Sequence, residues 1–427
     1  MKILWLSHLI PYPPKGGVLQ RSYHLLKELA RYHDVDLLAF NQRGLIGPLF
    51  DSVETGITEA DTALANICRR HRFFEIPTET STGGKYWLAL KSLTSAPYNI
   101  NWLKSAEFSR AVKEWTAEHR YDLVHFDTIS LIPFLSCIPP GAATVLDHHN
   151  IESHMLYRRA ANENSRLKRV YFLYEAMRLE RYERQYCPKF DLNITCSDVD
   201  TDRLRKLAAG SLVATIPNGV DLDYFRPGAD SPVSPPRLIF VGTMSWYPNI
   251  EAVNFIADKL WQSLREKYPN LCIDIVGANP PEKIKNLERT HPGFKVHGFV
   301  DDVRPYLDRA SIYLCPIRDG GGTKLKILDA MAMAKPLVTH PIACEGIAVT
   351  PEENVLFADT PDQFIDQISC LLTDSDRGHA LGIHARSLIK ANYSYASIGK
   401  QLAETYEGLQ SATRHGLKAK SAVSSNG

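Results

Sequence analysis

The chain has 427 residues and a net charge of +1, with 44% hydrophobic and 23% charged residues. This length predicts two or three domains of roughly 150 residues each, and the composition is that of an ordinary globular protein. The balanced charge argues against bulk binding to nucleic acid. No apolar run approaches the roughly 18 residues of a membrane-spanning helix. The eight cysteines are scattered without CxxC pairs, which favours reduced thiols over disulfides or zinc ligands.

The first half of the chain begins with a βαβ pattern. The apolar run at 2–6 predicts a buried strand, and the loop PYPPKGG at 11–17 leads into an amphipathic helix at 18–32. A second strand is predicted at 35–40. Further elements predicted in this half are strands at 73–76, 122–126, 144–147, 192–196 and 213–216 and a helix at 106–119.

A basic helical stretch is predicted at 155–189. It contains nine Arg or Lys residues against four Glu, with tyrosine, phenylalanine and methionine interleaved. One interpretation is a long surface helix that packs its aromatic side chains inward. The other is a face for an anionic or membrane-borne acceptor.

The second half repeats the alternation of strands and helices. The predicted strands are 238–241, 272–276, 296–300, 312–315, 337–339 and 355–357, and the predicted helices are 249–267, 302–309, 324–334 and 362–372. We therefore predict an α/β protein with parallel sheets in both halves. The predicted domains are 1–216, a Pro-rich linker at 217–236, 237–391, a helix at 392–410 that returns to the first domain, and a disordered tail at 411–427.

The stretch from 311 to 338 has the pattern of a phosphate-binding site. A strand leads to three consecutive glycines, Gly320–Gly322, and then to a helix for which Thr323 is the predicted N-cap. Glycine lets backbone N–H groups approach an anion, and the first helical amides lie at the positive end of the dipole. Lys324 and Lys326 add positive charge. On spacing alone, a glycine-rich loop with solvated lysines is the alternative.

These residues resemble the donor-binding motif of the retaining glycosyltransferase family 4. Other segments resemble the same family in the same order, namely PYPPKGG, DHHNIES, PNGVDLDYF, GTMSWYPN, HGFVDDVRPYL and NYSY. The resemblance extends from residue 2 to about 409 and is strongest for bacterial enzymes that build extracellular polysaccharide. It implies the GT-B fold, in which two Rossmann-like domains face each other across a cleft.

The resemblance implies a donor site for the nucleotide sugar. Its phosphates would be held by Lys324, Lys326 and backbone amides, its ribose by Asp329 and its base by the segment Gly298-Phe299-Val300. The implied donor-binding residues are Gly17, Gly242, Gly298, Phe299, Val300, Asp319, Gly320, Gly321, Gly322, Thr323, Leu325 and Asp329. The family commonly has a glutamate at the position of Gly321. Asp319 and the backbone amides of the glycine loop are the two candidates to replace it.

On the acceptor side, the resemblance implies His149 as the active-site histidine near the donor sugar. We chose it over His148 because it directly precedes Asn150. Gly16, Asn150 and Glu152 are the implied acceptor-side residues. With Lys324 and Lys326, His149 completes the predicted catalytic set.

The expected reaction is a metal-independent sugar transfer with retention of anomeric configuration, and no metal or cofactor is expected. The expected donor is a UDP- or GDP-sugar and the expected acceptor a glycan or polyprenyl-linked glycan. We expect a cytoplasmic protein, with peripheral contact at the inner membrane face as one interpretation. The alternatives are a GT-B-like nucleotide-sugar epimerase and a non-catalytic protein that only binds nucleotide sugar.

Overall fold

The computed structural model describes residues 1–15, 17–81, 83–228, 235–319 and 323–424, with side chains described up to residue 412. The chain divides into two compact units. The first contains residues 1–217 together with those from 396 onward, and the second contains residues 218–395. The second unit therefore begins inside the segment that we predicted as a linker. Of that segment, residues 229–234 lie outside the described residues.

The first unit has a seven-stranded parallel sheet in the described part of the chain, with the strand order β3-β2-β1-β4-β5-β6-β7. Its strands are β1 (Lys2–Ser7), β2 (Asp34–Asn41), β3 (Arg70–Glu75), β4 (Leu123–Phe126), β5 (Ala143–His148), β6 (Leu192–Thr195) and β7 (Val213–Thr215). Its helices are α1 (Gly17–Leu29), α2 (Arg43–Ile46), α3 (Val53–Ala65), α4 (Gly84–Ser92), α5 (Tyr98–Asn101), α6 (Ala106–Glu118), α7 (Glu152–Ala161), α8 (Arg166–Tyr186) and α9 (Asp198–Leu207).

Both faces of this sheet are buried, which explains the continuous apolar runs of its strands. In β1, Leu4 and Leu6 belong to the core on one face, while Ile3 and Trp5 belong to the core on the other. Ile3 lies opposite Val35 in β2, so the register places apolar residues side by side. This pattern makes β1 a central strand of the sheet.

The second unit has a six-stranded parallel sheet among its described residues, in the order β10-β9-β8-β11-β12-β13. Its strands are β8 (Arg237–Val241), β9 (Cys272–Val276), β10 (Phe294–Gly298), β11 (Ile312–Cys315), β12 (Leu337–Thr339) and β13 (Leu356–Phe357). Its helices are α10 (Tyr247–Phe255), α11 (Trp261–Lys267), α12 (Glu282–Lys285), α13 (Leu287–Thr290), α14 (Arg304–Asp308), α15 (Leu325–Ala332), α16 (Pro361–Thr373) and α17 (Ser375–Asn392).

Short non-α helical segments complete the secondary structure. The 3₁₀ segments are Gly47–Leu49, Ile129–Cys137, Cys187–Lys189 and Pro341–Cys344, and a π-helical turn at Ile256–Leu260 joins α10 to α11.

The last helix, α18 (Tyr395–Ser424), packs against the first unit. Its side chains Ile398, Leu402 and Tyr406 lie four residues apart and belong to the same core as Trp5. This spacing places them on one face of the helix. The helix continues through 411–424, where we predicted a disordered tail, and residues 425–427 lie outside the described residues.

Two predictions of local structure were wrong. The basic stretch at 155–189 is not one helix, because α7 ends at Ala161 and α8 starts at Arg166. The strand predicted at 296–300 is β10, which ends at Gly298.

All eight cysteines lie in the described part of the chain, where none forms a disulfide, and five of them are buried. No described helix combines the length and the apolar composition that crossing a membrane requires.

Candidate functional site

Three neighbouring strands of the first sheet are each followed by a titratable side chain at the carboxyl edge of the sheet. The strand order places the carboxyl ends of β1, β4 and β5 next to one another, and the chain order reverses between β1 and β4. The residues that directly follow these strands are His8, Asp127 and His149. Open α/β sheets bind their ligands at such a reversal. The topology therefore brings together three residues that are far apart in sequence.

Asp127 is the centre of this group, which we call the histidine cluster (His8, Asp127 and His149). The buried carboxylate lies 3.1 Å from Nδ1 of His8 and 3.1 Å from Nε2 of His149. The hydroxyls of Ser7 and Ser22 each donate to it at 3.0 Å. Four side chains thus orient one carboxylate.

The surroundings of the cluster favour its charged form. Burial alone would raise the pKa of Asp127, but the charge of His149 and the hydrogen bonds from the histidines hold that pKa well below its usual value. Burial opposes protonation of His149, yet the Asp127 carboxylate raises the pKa of the imidazole above its usual value. The His149 side chain keeps 12% of its surface exposed. The Asp127 carboxylate therefore favours protonation of the His149 imidazole beside it.

The two adjacent histidines have different environments. His148, the last residue of β5, is buried, and its Nε2 lies 3.0 Å from Oδ1 of Asn193. Burial lowers the pKa of His148. It is a core histidine, whereas His149 lies at the sheet edge with the cluster.

A buried ion pair fixes the backbone that carries His149. Arg21 of α1 donates to both carboxylate oxygens of Asp147 at 3.0 and 3.1 Å. A second guanidinium nitrogen donates to the carbonyls of Ile216 and Pro217 at 3.0 and 3.1 Å. Bidentate Arg–carboxylate pairs restrict geometry as well as adding energy. The pair therefore ties α1 to the end of β5.

The last helix, α18, contributes Tyr406 to the residues packed beneath the histidine cluster. Nδ1 of buried His125 lies 2.6 Å from the hydroxyl of Tyr406 on α18. The ring of His125 stacks on Trp5 with centroids 3.6 Å apart, and its Nε2 lies 3.9 Å from Asp127. Through His125, α18 is thus linked to the carboxylate of Asp127.

The other residues predicted for this side lie near the cluster or at the start of helices. Glu152 is the first residue of α7, and its carboxylate accepts from the side-chain amide of Asn99 at 3.2 Å. Burial raises the pKa of Glu152. Asn150 is half-buried in the turn before α7, and Gly17 is the exposed first residue of α1. Gly16 lies outside the described residues.

The cluster has the donor set of a divalent-cation site as well as that of a hydrogen-bonded network. Ligand atoms of His8, Asp127 and His149 lie within 4.8 Å of one another, and the same holds for His125, Asp127 and Asp147. Two imidazoles and a carboxylate suit several transition metals. Our prediction that no metal takes part in the reaction therefore needs a direct test.

In the second sheet the chain order reverses between β8 and β11. Gly242 directly follows β8, and an ideal Cβ there would lie 2.7 Å from Nζ of Lys326 and 2.7 Å from the side chain of Asn249. Glycine is therefore required for the lysine to occupy this position. The predicted donor residues Gly242 and Lys326 are neighbours.

Lys326 is a half-buried cation whose hydrogen-bond partner and neighbouring aromatic rings are neutral. Its Nζ donates to Oδ1 of Asn249 at 2.5 Å and lies 5.1 and 5.8 Å from the ring centroids of Phe240 and Trp246. Burial lowers the pKa of Lys326 to about 8, and the positive charge of nearby Lys324 acts in the same direction. The negative charge of Asp329 opposes this lowering only in part, and an anion at this edge would add further countercharge.

The start of α15 differs from the prediction in one respect. Lys324, which is buried, occupies the N-cap position, and the helix begins at Leu325. Thr323, the predicted N-cap, is one residue earlier and half-buried, so that prediction was wrong. Asp329 follows Lys326 by three residues on the same helix and is half-buried.

The remaining donor-side residues lie at the carboxyl ends of β10 and β11. Gly298 ends β10 with a φ of +64°, which favours glycine. Phe299 is exposed and Val300 is half-buried. Asp319 accepts a hydrogen bond from the hydroxyl of Tyr247. Gly320, Gly321 and Gly322 lie outside the described residues.

Sequence reasoning did not identify Asp127, His8 or Asn249. The available signal for Asp127 was its place directly after a predicted strand, and the same holds for His8. Asn249 is the last residue of the segment GTMSWYPN, in which we assigned a role only to Gly242.

Comparisons with known proteins agree with this architecture. Residues 15–224 match Glycosyltransferase Family 4, and residues 235–374 match Glycosyl transferases group 1. The chain is 22% identical over 417 residues to a Klebsiella pneumoniae protein described as an uncharacterized 44.6 kDa protein in the cps region, covering 94% of this chain and 99% of that protein.

Solved structures of the same fold include two cyanobacterial proteins. A sucrose-phosphate synthase from Thermosynechococcus elongatus has a TM-score of 0.69 and 16% identity, covering 96% of this chain and all of that chain. Anabaena Alr3699/HepE, solved in complex with UDP and glucose, has a TM-score of 0.65 and 15% identity with the same coverage. With two Rossmann-like α/β units and matches along most of its length, the chain belongs to the family 4 glycosyltransferases of GT-B fold.

Proposed function

We propose that the protein transfers a sugar from a UDP- or GDP-sugar to a glycan or polyprenyl-linked acceptor, with retention of configuration and without a metal ion. The observation that carries this proposal is the half-buried Lys326 ammonium at the carboxyl edge of the second sheet. It adjoins Gly242 and the start of α15, and its hydrogen-bond partner Asn249 is neutral. A diphosphate is the anion that such an edge suits.

The proposed chemistry uses few residues. Lys326, Lys324 and the first amides of α15 would stabilise the charge of the departing nucleotide diphosphate. Asp329 would accept hydrogen bonds from the ribose hydroxyls. The acceptor hydroxyl would attack the anomeric carbon from the face that the diphosphate leaves, so that the configuration is retained.

His149 is the proposed contact to the donor sugar on the first unit. The charge of Asp127 favours the protonated, hydrogen-bond-donating form of His149, and Asp127 fixes the orientation of its ring. The role supported by this geometry is positioning and polarity. Asp319, which Tyr247 holds by a hydrogen bond, is the candidate to replace the carboxylate missing at Gly321.

The choice of donor and pathway rests on relatives. Alr3699/HepE was solved with UDP and glucose and also with UDP-glucose, which supports a uridine nucleotide. The Klebsiella relative lies in a cps region, which supports exopolysaccharide biosynthesis. We propose that this chemistry takes place in the cytoplasm.

The first test is thermal unfolding with UDP-, GDP-, ADP- and dTDP-sugars in excess EDTA. A ligand at a hundred times its Kd stabilises the native state by about 2.7 kcal/mol. We expect one nucleotide class to stand out. If none raises the melting temperature, the proposed donor site is wrong.

The second test is turnover with the selected donor and a lipid-linked acceptor, with the product anomer assigned by NMR. We expect retention and full activity in EDTA. Loss of activity in EDTA, restored by a divalent cation, would contradict the metal-free mechanism. The histidine cluster would then be the first candidate for the metal site. Donor binding followed by interconversion of the sugar without transfer would identify an epimerase, and binding with neither reaction a non-catalytic protein.

A further inference from the structure

The first unit exposes large apolar side chains on two helices. Tyr86 and Trp87 on α4 are 85% and 72% exposed, and Leu167 on α8 is 85% exposed. The further exposed apolar residues of this region are Leu90, Leu93, Val170, Leu173, Tyr174 and Met177. We call this set, from 86 to 93 and from 167 to 177, the α4–α8 surface. Contiguous exposed apolar surface marks a site of interaction.

On α8 the exposed apolar residues form a stripe. Leu167, Val170, Tyr174 and Met177 follow one another at intervals of three, four and three residues, which places them on one face of the helix. The inward-packing interpretation of the aromatic side chains therefore fails for Tyr174, whereas Tyr171 and Phe172 are half-buried. A stripe of this size on the outside of the unit requires a partner.

Hydrogen bonds fasten the end of α4 to the middle of α8. The hydroxyl of Tyr174 donates to the carbonyl of Leu93 at 2.7 Å. The guanidinium of Arg178 donates to the carbonyls of Ser92 and Ser95. The apolar residues of the two helices thus belong to one region and cannot be two unrelated patches.

The exposed charge of this region is mainly positive. Of the carboxylates nearby, Glu79 pairs with Lys85 at 3.7 Å, and buried Glu175 pairs with Arg178 at 2.6 Å. Residues 80–105 contain three lysines and no aspartate or glutamate, and residues 164–174 contain Arg166, Lys168 and Arg169 and no acidic residue. The first turn of α8, all of it described, lacks an acidic residue. Cations at a helix N-terminus oppose the helix dipole, so they are unfavourable for α8 itself. An external anionic surface would compensate them.

We infer that the α4–α8 surface docks on an anionic lipid bilayer. Tryptophan and tyrosine beside lysine and arginine are the side chains favoured at a membrane–water interface. Apolar residues would enter the headgroup region while the surrounding cations meet the lipid phosphates. Docking on lipid is inferred from the exposed residues and their charge alone. Its connection to a lipid-linked acceptor rests on the proposed function.

Co-sedimentation of the full chain with vesicles tests this docking. We expect binding to vesicles of phosphatidylcholine mixed with phosphatidylglycerol, weak binding to phosphatidylcholine alone, and release by salt. The double variants Trp87→Ser/Leu90→Ser and Lys168→Glu/Arg169→Glu should each weaken binding at least about tenfold. Matched variants of exposed residues elsewhere, Leu212→Ser and Lys113→Glu, should bind like the wild type.

Three outcomes would overturn the inference. The first is no binding to either vesicle, and the second is equal binding to both that the charge variants do not change. The third is a dimer in sedimentation without lipid that the Trp87→Ser/Leu90→Ser variant dissociates, because a second copy would then cover the surface. The melting-temperature increase with nucleotide sugar, measured on every variant, should be unchanged, so failure of donor binding and failure of docking are separable.

Discussion

Nε2 of His149 lies 3.1 Å from Oδ1 of Asp127, although the two residues are 22 positions apart in the sequence. The carboxylate is buried and the imidazole is partly exposed, so one partner can reach a ligand while the other orients it. If His149 touches the substrate as proposed, Asp127 positions it without touching the substrate itself. This arrangement leads to a test of each role.

Replacing Asp127 with asparagine should lower the pKa of His149. The raised pKa depends on the Asp127 charge, and without it burial favours the neutral imidazole. His149 would then lose its proton at a lower pH than in the wild type, and turnover should fall at least about tenfold. NMR titration of the His149 ring and the pH profile of kcat measure the two effects.

Asp191→Asn is the control, since Asp191 accepts hydrogen bonds from Thr144 at the opposite end of β5. It should leave the His149 titration unchanged. An Asp127→Asn protein with the wild-type titration and pH profile would remove Asp127 from its positioning role.

The central strands of the first sheet, such as β1, β4 and β5, could be predicted from local sequence because their residues are buried on both faces. Helix α17 could not, since it contains Gly378 and Gly382 and many polar residues. Its glycines serve packing, because an ideal Cβ at Gly382 would lie 2.0 Å from the carbonyl oxygen of Ala334. That contact depends on tertiary structure, which no local pattern contains.

The same limit applies to the candidate site. The resemblance led to His149 and Lys326, because both lie in recognisable segments. Asp127 was missed because an aspartate after a strand is more often a cap than a positioning residue. Its neighbours come from β1, α1 and β5, and only the strand order brings them together.

Donor affinity should depend on pH through Lys326. Its pKa of about 8 means that the ammonium form predominates below that value and is lost above it. Since the diphosphate requires the ammonium, the Kd should be constant below about pH 7 and should rise up to about tenfold per pH unit above pH 8. Titration calorimetry across this range measures the effect.

Lys326→Met should bind donor about 10- to 100-fold more weakly and without this pH dependence. Lys295→Met, which removes an exposed lysine from β10, is the matched control and should retain both. A wild-type Kd that does not change between pH 7 and 9 would contradict the contact between Lys326 and the diphosphate.

Asp329→Asn should weaken binding of the nucleotide sugar by about tenfold or more, because a carboxylate accepts stronger hydrogen bonds from the ribose hydroxyls than an amide. The 2′-deoxy analogue should distinguish this role. Wild type should bind it more weakly than the ribonucleotide, and the variant should bind both similarly.

The control for Asp329 is Asp366→Asn on α16, an exposed carboxylate in the same unit. This control protein should bind the 2′-deoxy analogue more weakly than the ribonucleotide sugar, as the wild type does. If the Asp329→Asn protein prefers the ribonucleotide sugar over its 2′-deoxy analogue as strongly as the wild type does, another group recognises the ribose.

Two glycines of α18 should respond in opposite ways to alanine. An ideal Cβ at Gly399 would lie 2.1 Å from Cβ of Glu28 on α1, whereas nothing lies within 4 Å of one at Gly408. Gly399→Ala should destabilise the first unit by about 1–3 kcal/mol through overpacking and lower its melting temperature by roughly 2–10 °C. Gly408→Ala should stabilise it by up to about 1 kcal/mol, because alanine favours the helix. Thermal unfolding of both proteins measures the difference, and similar melting temperatures would mean that α18 does not pack closely on α1.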